Sequence, residues 1–310
     1  MARKILITGA EGQLGKTLQI SLSDKFKLLP TSRKPTQKAI KNRNVHKLDI
    51  TVKEDIAAVI ASFKPDIIIN CAAYTDVDGS EQDKYLAHKV NVSGLQNLIQ
   101  LSEKETFFIQ ISSDYVFDGN NGPYTEDDHT FPVNYYGKTK LEAENMLRGM
   151  RRRFLIFRPN VLYGEDIFSR GNFFAWVYKS LLNGKSISVV TDQISNPVYV
   201  QNFVNAIFKC IIMNCEGIYH FGSNNYISRY EFARNIAQIF NFELSLVEPI
   251  ETKTLARKVK SYIAKRPINS GLKTEKLSYT LFFPRHKLFK IFLGLEKILT
   301  WCPIGAQYYI

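Results

Sequence analysis

The sequence predicts a doubly wound parallel α/β sheet with a second, smaller α/β lobe interleaved in the chain. Three observations lead there. Short apolar runs alternate with stretches of helical periodicity through the first half, the pattern of βαβ units. A glycine-rich turn, TGAEGQLG, follows the first of those runs at once. After about residue 160 the alternation breaks into loops, helices and short strands, until GIYHFG at 217–222 reads as a strand returning to the main sheet.

Taken in order, the strands are KILITG (4–9), FKLLPTS (26–32), the NVHKLDI region (44–50), PDIIINCAA (65–73), TFFIQISS (106–113) and FLIFRP (154–159). Near-continuous apolar runs such as DIIIN suit strands covered on both faces. Helical periodicity occupies 13–23, 52–62, 81–103 and 134–150, so helices are expected on both sides of the sheet. The sheet domain is expected over 1–160, rejoined by about 200–222; 161–199 and 223–310 form the smaller lobe. No internal repeat, low-complexity tract or long linker separates them. The two lobes are therefore expected to form one compact unit, with a ligand cleft at the carboxyl ends of the strands.

A chain of 310 residues with 45% hydrophobic content can bury a large core. No apolar run reaches the roughly 18 to 20 residues that a membrane-spanning helix needs. The strand-like KILITG begins at residue 4 with no secretory pattern before it, and Cys71, Cys210, Cys215 and Cys302 show no CxxC spacing. Both observations point to a reducing cytoplasm. The five histidines are scattered, and no protein-held metal is expected. The net charge of +12 favours anionic partners, with much of the excess after residue 250. Zinc-finger and aromatic RNP-type motifs are missing, so nucleic acid is not the expected partner.

Gly9, Gly12 and Gly15 sit where the first strand gives way to the first helix. Such glycines permit a tight turn, approach of the backbone to a pyrophosphate, and close packing of helix on strand, while the helix N-terminus attracts anionic charge. This makes the sheet domain Rossmann-type and dinucleotide-binding, with spacing GxxGxxG. The second strand ends in Thr31, Ser32, Arg33 and Lys34, where an acidic residue would favour NAD. Ser32 and Arg33 suit a 2′-phosphate, so NADPH is preferred over NADH; the alternative is an exposed basic loop. Asp49 is placed either to hold the adenine amino group or to cap the following helix.

TFFIQISS delivers Ser112 and Ser113 to the carboxyl edge of the sheet, and NYYGKTK follows at 134–140. If 135–147 is helical, with Asn134 or a neighbour as cap, Tyr136 and Lys140 share a face one turn apart. Alone, a YxxxK pair is more often a surface contact. With the glycine loop and Ser113 it suits proton exchange with a carbonyl or alcohol: the ammonium would lower the phenol's pKa, and the serine would stabilise charge on the reacting oxygen.

At this point the chain resembles the extended short-chain dehydrogenase/reductase family. Within it, TGAEGQLG, NCAAYTDVDGSE, ISSDYVFDG, GPYTEDD, PVNYYGKTKLEAE, GNFF, VVTDQISNP, GIYHFG and RPINSGLKTEKL follow one another as in dTDP-4-dehydrorhamnose reductases, from residue 4 to about 278. The resemblance implies that Tyr136 donates a proton, that Lys140 binds the nicotinamide ribose and tunes the tyrosine, and that Ser113 stands where threonine is usual. It assigns Gly12, Gln13 and Leu14 to the pyrophosphate, Asp49 and Ile50 to the adenine side, and Ala72, Ala73, Tyr74 and Thr75 to the cofactor cleft. The implied reaction is reduction of a nucleotide-linked 4-keto-6-deoxy sugar by NADPH or NADH. Ser113, Asp114, Asn160 and Arg266 are the candidate substrate contacts. Arg266 is read as a diphosphate contact or a surface ion pair, and Arg158 as a pocket residue or a structural pair. Val161 and Val198 depart from the family's tryptophan and threonine.

Asp114 is followed by Tyr115 rather than the glutamate of sugar 4,6-dehydratases, which disfavours that reaction. A nucleotide-sugar epimerase shares the Tyr/Lys pair but retains NAD, against the Ser32 and Arg33 reading. A regulatory β subunit of methionine adenosyltransferase resembles the same family and is the non-enzyme alternative. Beyond residue 280, Leu288, Ile291, Phe292, Leu295, Ile298 and Leu299 form an apolar helix stripe with basic neighbours. Packing on the second lobe is expected, with a membrane-surface or partner contact as the alternative. The chain is compatible with a homodimer.

Overall fold

The computed structural model describes residues 2–166, 172–258 and 264–282, together with 295, 296 and 298. It contains a seven-stranded sheet. The strands are β1 (Lys4–Thr8), β2 (Lys27–Ser32), β3 (His46–Lys47), β4 (Ile67–Asn70), β5 (Phe107–Ile111) and β6 (Phe154–Pro159), joined much later by β11 (Gly217–Phe221). Their order is β11-β6-β5-β4-β1-β2-β3. The registers joining β1 to β2 and β4, β2 to β3, β4 to β5 and β5 to β6 are all parallel. This is the doubly wound order, and its direction reverses between β1 and β4, where such sheets bind ligands.

The connecting helices are α1 (Gln13–Leu22), α2 (Gln37–Arg43), α3 (Lys53–Phe63), α4 (Val77–Gln82), α5 (Lys84–His88), α6 (Gly94–Leu101) and α7 (Tyr135–Arg148). Leu6, Ile56, Ile68, Leu98, Phe108 and Leu147 belong to one buried cluster, which brings sheet and helices into a single apolar layer. Among the described residues, no helix is long and apolar enough to cross a membrane.

Three elements differ from the sequence-level reading. The predicted helix 81–103 is two short helices, a π-helical turn at Lys89–Ser93, and then α6. The break comes at Asp83, whose backbone leaves the helical region (φ −123°, ψ 75°) and whose carboxylate accepts from Leu86 N. The third strand shrinks to His46–Lys47 because Asp49 Oδ1 accepts from both Thr51 N (2.9 Å) and Thr51 Oγ1 (2.8 Å), turning the chain early. Helix α2, absent from the reading, is started by Thr36, whose side chain accepts from Ala39 N.

Two compact units divide the chain. The first takes residues 1–116, 130–158 and 204–219; the second takes 117–129, 159–203 and 220–310. In the second unit are β7 (Leu162–Tyr163), α8 (Phe173–Leu182), β8 (Ile187–Val190), β9 (Ile194–Ser195), β10 (Val198–Tyr199), β12 (Ile227–Ser228), α10 (Arg229–Ile239), β13 (Val247–Ile250), α11 (Thr252–Lys258) and α12 (Glu275–Thr280). Helix α9 (Val200–Ile212) begins there and continues into the first unit. The second unit's core is aromatic: Tyr163 meets Phe232 edge-on at 5.3 Å and Tyr178 meets Phe240 at 5.0 Å. Leu295 and Ile298 are buried in the same cluster, which gives that part of the C-terminal stripe a packing role. Leu288, Ile291, Phe292 and Leu299 lie outside the described residues.

Helix α7 positions the chemistry described below, and its start is specified locally: Asn134 is extended (φ −138°, ψ 165°) and its side chain accepts from Gly137 N. Asn134→Ala removes this cap and should cost about 1 kcal/mol, read as a lower urea midpoint at unchanged slope.

Candidate active site

Three consecutive residues leaving β5 each meet one turn of α7. The carbonyl of Ile111 accepts from Lys140 Nζ at 2.6 Å. Ser112 Oγ donates to Glu144 Oε1. Ser113 lies near enough to the Tyr136 phenol to act on its ionisation. Positions 136, 140 and 144 recur at one helical turn, so the strand end and the helix face are matched over three residues each.

Ser113 is buried, donates to Asp114 Oδ1 at 2.9 Å and accepts from Tyr115 N at 3.2 Å. Tyr115 packs edge-on to Tyr136, ring centroids 6.0 Å apart. Tyr135 turns elsewhere: its N–H bonds Glu81 Oε1, and Lys84 Nζ lies 5.5 Å from its ring centre.

The electrostatics correct one expectation. The YxxxK spacing predicts a lowered phenol pKa; instead Tyr136 is raised, by burial first and then by Asp114, with Ser113 opposing. Lys140 is the group that shifts down, to about 8, because burial disfavours its charge more strongly than Glu144 and Cys71 favour it. Cys71 is itself pushed up to about 12 by burial, with Lys140 acting against that. At neutral pH the phenol therefore keeps its proton and the ammonium its charge, the state suited to donating a proton.

At the glycine loop, Gly9 has φ +63°, and a Cβ there would stand 2.7 Å from Ala72 N. A Cβ on Gly15 would stand 2.5 Å from Gly9 O, whereas one on Gly12 meets only Gly9 O, at 3.3 Å. Gly12 is the extended N-cap of α1, which has no side-chain cap and no acidic residue in its first turn. The N–H groups of the first turn of an α-helix lie outside its own hydrogen-bond ladder and face its N-terminal end. This donor set fits the pyrophosphate of a dinucleotide.

Beside that loop, Glu11 accepts from Thr36 N at 3.2 Å and Thr36 Oγ1 at 2.8 Å, and Ser32 also favours its charged form. Partial burial raises its pKa, but these bonds and Arg43 outweigh it and the net shift is downward. Glu11 so brackets the segment carrying Arg33 and Lys34, both exposed. Asp49 is engaged with Thr51 and is a turn-former here; Ile50 is buried, and its carbonyl accepts from Asn97. Ala72 N donates to Thr8 Oγ1, Tyr74 N to Asn91 Oδ1, and Ala73 and Thr75 lie on the same segment after β4.

In the second unit, the Asn160 amide donates to Ser270 O at 2.9 Å and accepts from Val161 N at 2.8 Å, so it ties the RPINSGL segment to the chain after β6. Arg266 Nη1 donates to Ala264 O at 2.7 Å. Of its two readings Arg158 takes the structural pair: it forks onto Glu144 in the core of the first unit. A cavity of about 360 Å³ opens at the opposite, amino ends of the strands, lined by Arg3, Lys64, Asp66 and Arg153, and has no part in this arrangement.

Sequence reasoning missed Asn91, which is buried in the π-helical turn and clamps Tyr74 on one side and Thr139 Oγ1 (2.9 Å) on the other. It also missed Glu144, and with it the partner of Ser112. A polar residue inside an apolar helical run, as in KVNVSG, was the available signal, since a buried amide must find partners.

The RmlD substrate binding domain profile matches residues 3–290. The dTDP-4-dehydrorhamnose reductase of Aggregatibacter actinomycetemcomitans is 35% identical over 292 residues, covering 89% of this chain and 92% of the relative. Methionine adenosyltransferase 2 subunit beta of Rattus norvegicus is 31% identical over 307 residues, covering 96% and 87%. The crystal structure of dTDP-4-dehydrorhamnose reductase from Bacillus anthracis in complex with NADP superposes with a TM-score of 0.84 at 31% identity, covering 97% of this chain and all of that one.

Gly12 and Gly15 should separate under substitution. Gly15→Ala forces backbone apart and should cost about 1 to 3 kcal/mol in urea unfolding. Gly12→Ala should leave the urea midpoint near wild type while weakening dinucleotide affinity by about tenfold, read by calorimetric titration.

Proposed function

The chain belongs to the RmlD substrate binding domain family, and on that premise we propose that it reduces the 4-keto group of a nucleotide-linked 6-deoxy sugar, with dTDP-4-dehydrorhamnose the leading candidate. The observation that carries this reading is the matched set of Ser113, Tyr136 and Lys140 at the carboxyl end of β5.

Reduction of a ketone to an alcohol needs a hydride on carbon and a proton on oxygen. NADPH, when bound, supplies the hydride. The first-turn amides of α1 would hold its pyrophosphate, Lys140 its nicotinamide ribose, and Ser32, Arg33 and Lys34 favour the phosphorylated adenosine ribose. Ser113 and Tyr136 offer two hydroxyls to the ketone oxygen. As negative charge develops there, Tyr136 Oη gives its proton, and the ammonium of Lys140 offsets the charge left on the phenolate. The raised phenol pKa keeps the donor loaded across the neutral range, and an incipient alkoxide is basic enough to take the proton. The second unit, with Asn160 and Arg266, is assigned to the sugar nucleotide, and the reaction to the cytoplasm.

The likeness to the methionine adenosyltransferase β subunit supports a second reading, a cofactor-binding regulatory partner. Incubation with dTDP-, UDP- and GDP-linked 4-keto-6-deoxy sugars plus NADPH or NADH, with NMR of the product, decides between them. Absence of cofactor oxidation with every sugar, together with co-purification of a synthetase, would sink the reductase reading.

Tyr136→Phe should keep dinucleotide affinity and lower turnover by about 10²- to 10⁴-fold. Turnover of the native protein should fall as pH rises through about 8, where Lys140 loses its proton, and be level below it; a pH profile of kcat checks this.

A further inference from the structure

Two adjacent residues of the glycine loop hold the chain that leaves β2, one at each end. Ala10 N donates to Thr31 O at 2.9 Å, where β2 is still paired with β3. At the far end the Glu11 carboxylate accepts from Thr36 Oγ1 at 2.8 Å, and Thr36 N is shared between its two oxygens at 3.2 Å and 3.3 Å. The same Thr36 hydroxyl accepts from Ala39 N, so one side chain both starts α2 and meets the carboxylate. Ser32, Arg33, Lys34 and Pro35 lie between these two anchors, and the proline ring fixes one more backbone angle. The segment is closed onto the glycine loop from both sides.

Arg33 and Lys34 are exposed, and among the described residues neither forms an ion pair with Glu11, whose oxygens are both turned to Thr36. The carboxylate therefore shapes the segment without neutralising its cations. By charge alone a carboxylate here would repel a phosphate. Its bonds to Thr36 act the other way, because a segment already fixed loses little freedom when it meets a ligand. The two effects differ in what they require: repulsion needs the charge, and ordering needs only an acceptor.

We infer that Glu11 is a positioning residue for the 2′-phosphate of the cofactor: by tying Thr36 to the glycine loop it fixes the segment of Ser32, Arg33 and Lys34 relative to the first turn of α1, so that one bracket carries the donors for both phosphate groups. The inference rests on the reading of that segment as the contact for the phosphorylated adenosine ribose. It gives the preference for NADPH a second origin besides the residues that follow β2, namely the acid between Gly9 and Gly12.

The test is calorimetric titration of the native protein, Glu11→Ala, Glu11→Gln and Arg33→Ala with NADP⁺ and with NAD⁺. The readout is the ratio of the two affinities, because general damage to the glycine loop weakens both alike. Glu11 is half-buried and outside the apolar core, so its variants keep the fold. The native protein should favour NADP⁺, and Arg33→Ala should remove most of that preference. Glu11→Ala should weaken NADP⁺ binding about fivefold and NAD⁺ binding by less than about twofold. Glu11→Gln, whose amide oxygen still accepts from Thr36, should keep the ratio at or above the native one. Equal weakening of both cofactors in Glu11→Ala overturns the proposal, and so does an unchanged or raised affinity for NADP⁺. A preference lost in Arg33→Ala but kept in Glu11→Ala removes the positioning role alone. A native protein with no preference, unchanged by either variant, removes the phosphate reading of the segment together with it.

Discussion

The register of α7 against the end of β5 is the constraint on which the site depends. Residues 111, 112 and 113 engage Lys140, Glu144 and Tyr136, so a slide of the helix by one residue would break all three contacts together. The helix is held at that height by close approach at its first turn. A Cβ on Gly137 would stand 2.1 Å from Tyr115 O, so only glycine lets α7 lie this near the turn that carries Ser113 and Asp114. Asn134 fixes where the helix starts, and Asn91 fixes its second side through Thr139.

The same closeness sets the electrostatics. Stripping water from Tyr136 and Lys140 opposes charge on either, which raises the phenol and lowers the lysine. Their neighbours then act unequally: Asp114 adds to the effect of burial at the tyrosine, while Glu144 works against burial at the lysine. Beneath them, Thr8 Oγ1 bonds Asn70 Oδ1 at 2.6 Å and Asn70 Nδ2 bonds Gln110 Oε1 at 2.8 Å, tying the carboxyl ends of β1, β4 and β5. Gln110 Nε2 also reaches Ile111 O, the acceptor of Lys140. The strand ends that bear the glycine loop and the lysine contact are thus joined by side chains as well as by the ladder.

In the second unit, aromatic packing takes the place of a continuous sheet. Its two-stranded pairs, β7 with β10, β9 with β12 and β8 with β13, are too small to stand alone, and the Tyr163, Phe174, Tyr178 and Phe232 cluster joins them to α8 and α10. Asn196, fully buried, bonds Ser223 O and Leu272 O and accepts from Leu272 N, drawing the RPINSGL segment into this frame. The polar residues of this unit that look like ligand contacts in the sequence, such as Asn160, already have backbone partners here.

The sequence by itself determined the sheet, the glycine loop and the Tyr136–Lys140 pair, because each is written in local spacing: apolar runs of strand length, glycines at a strand-helix junction, and residues four apart on one helix. It could not reveal the Ser112, Glu144 and Arg158 cluster, or the separate Asn91 clamp on Thr139, since those contacts join residues 14 to 48 positions apart in the chain. Nor could spacing give the direction of the shifts at Tyr136 and Lys140. Two residues on one helix face can lie in water or out of it with the same spacing, and burial, which only the packing of α7 on β5 and β6 decides, sets which charges are favoured.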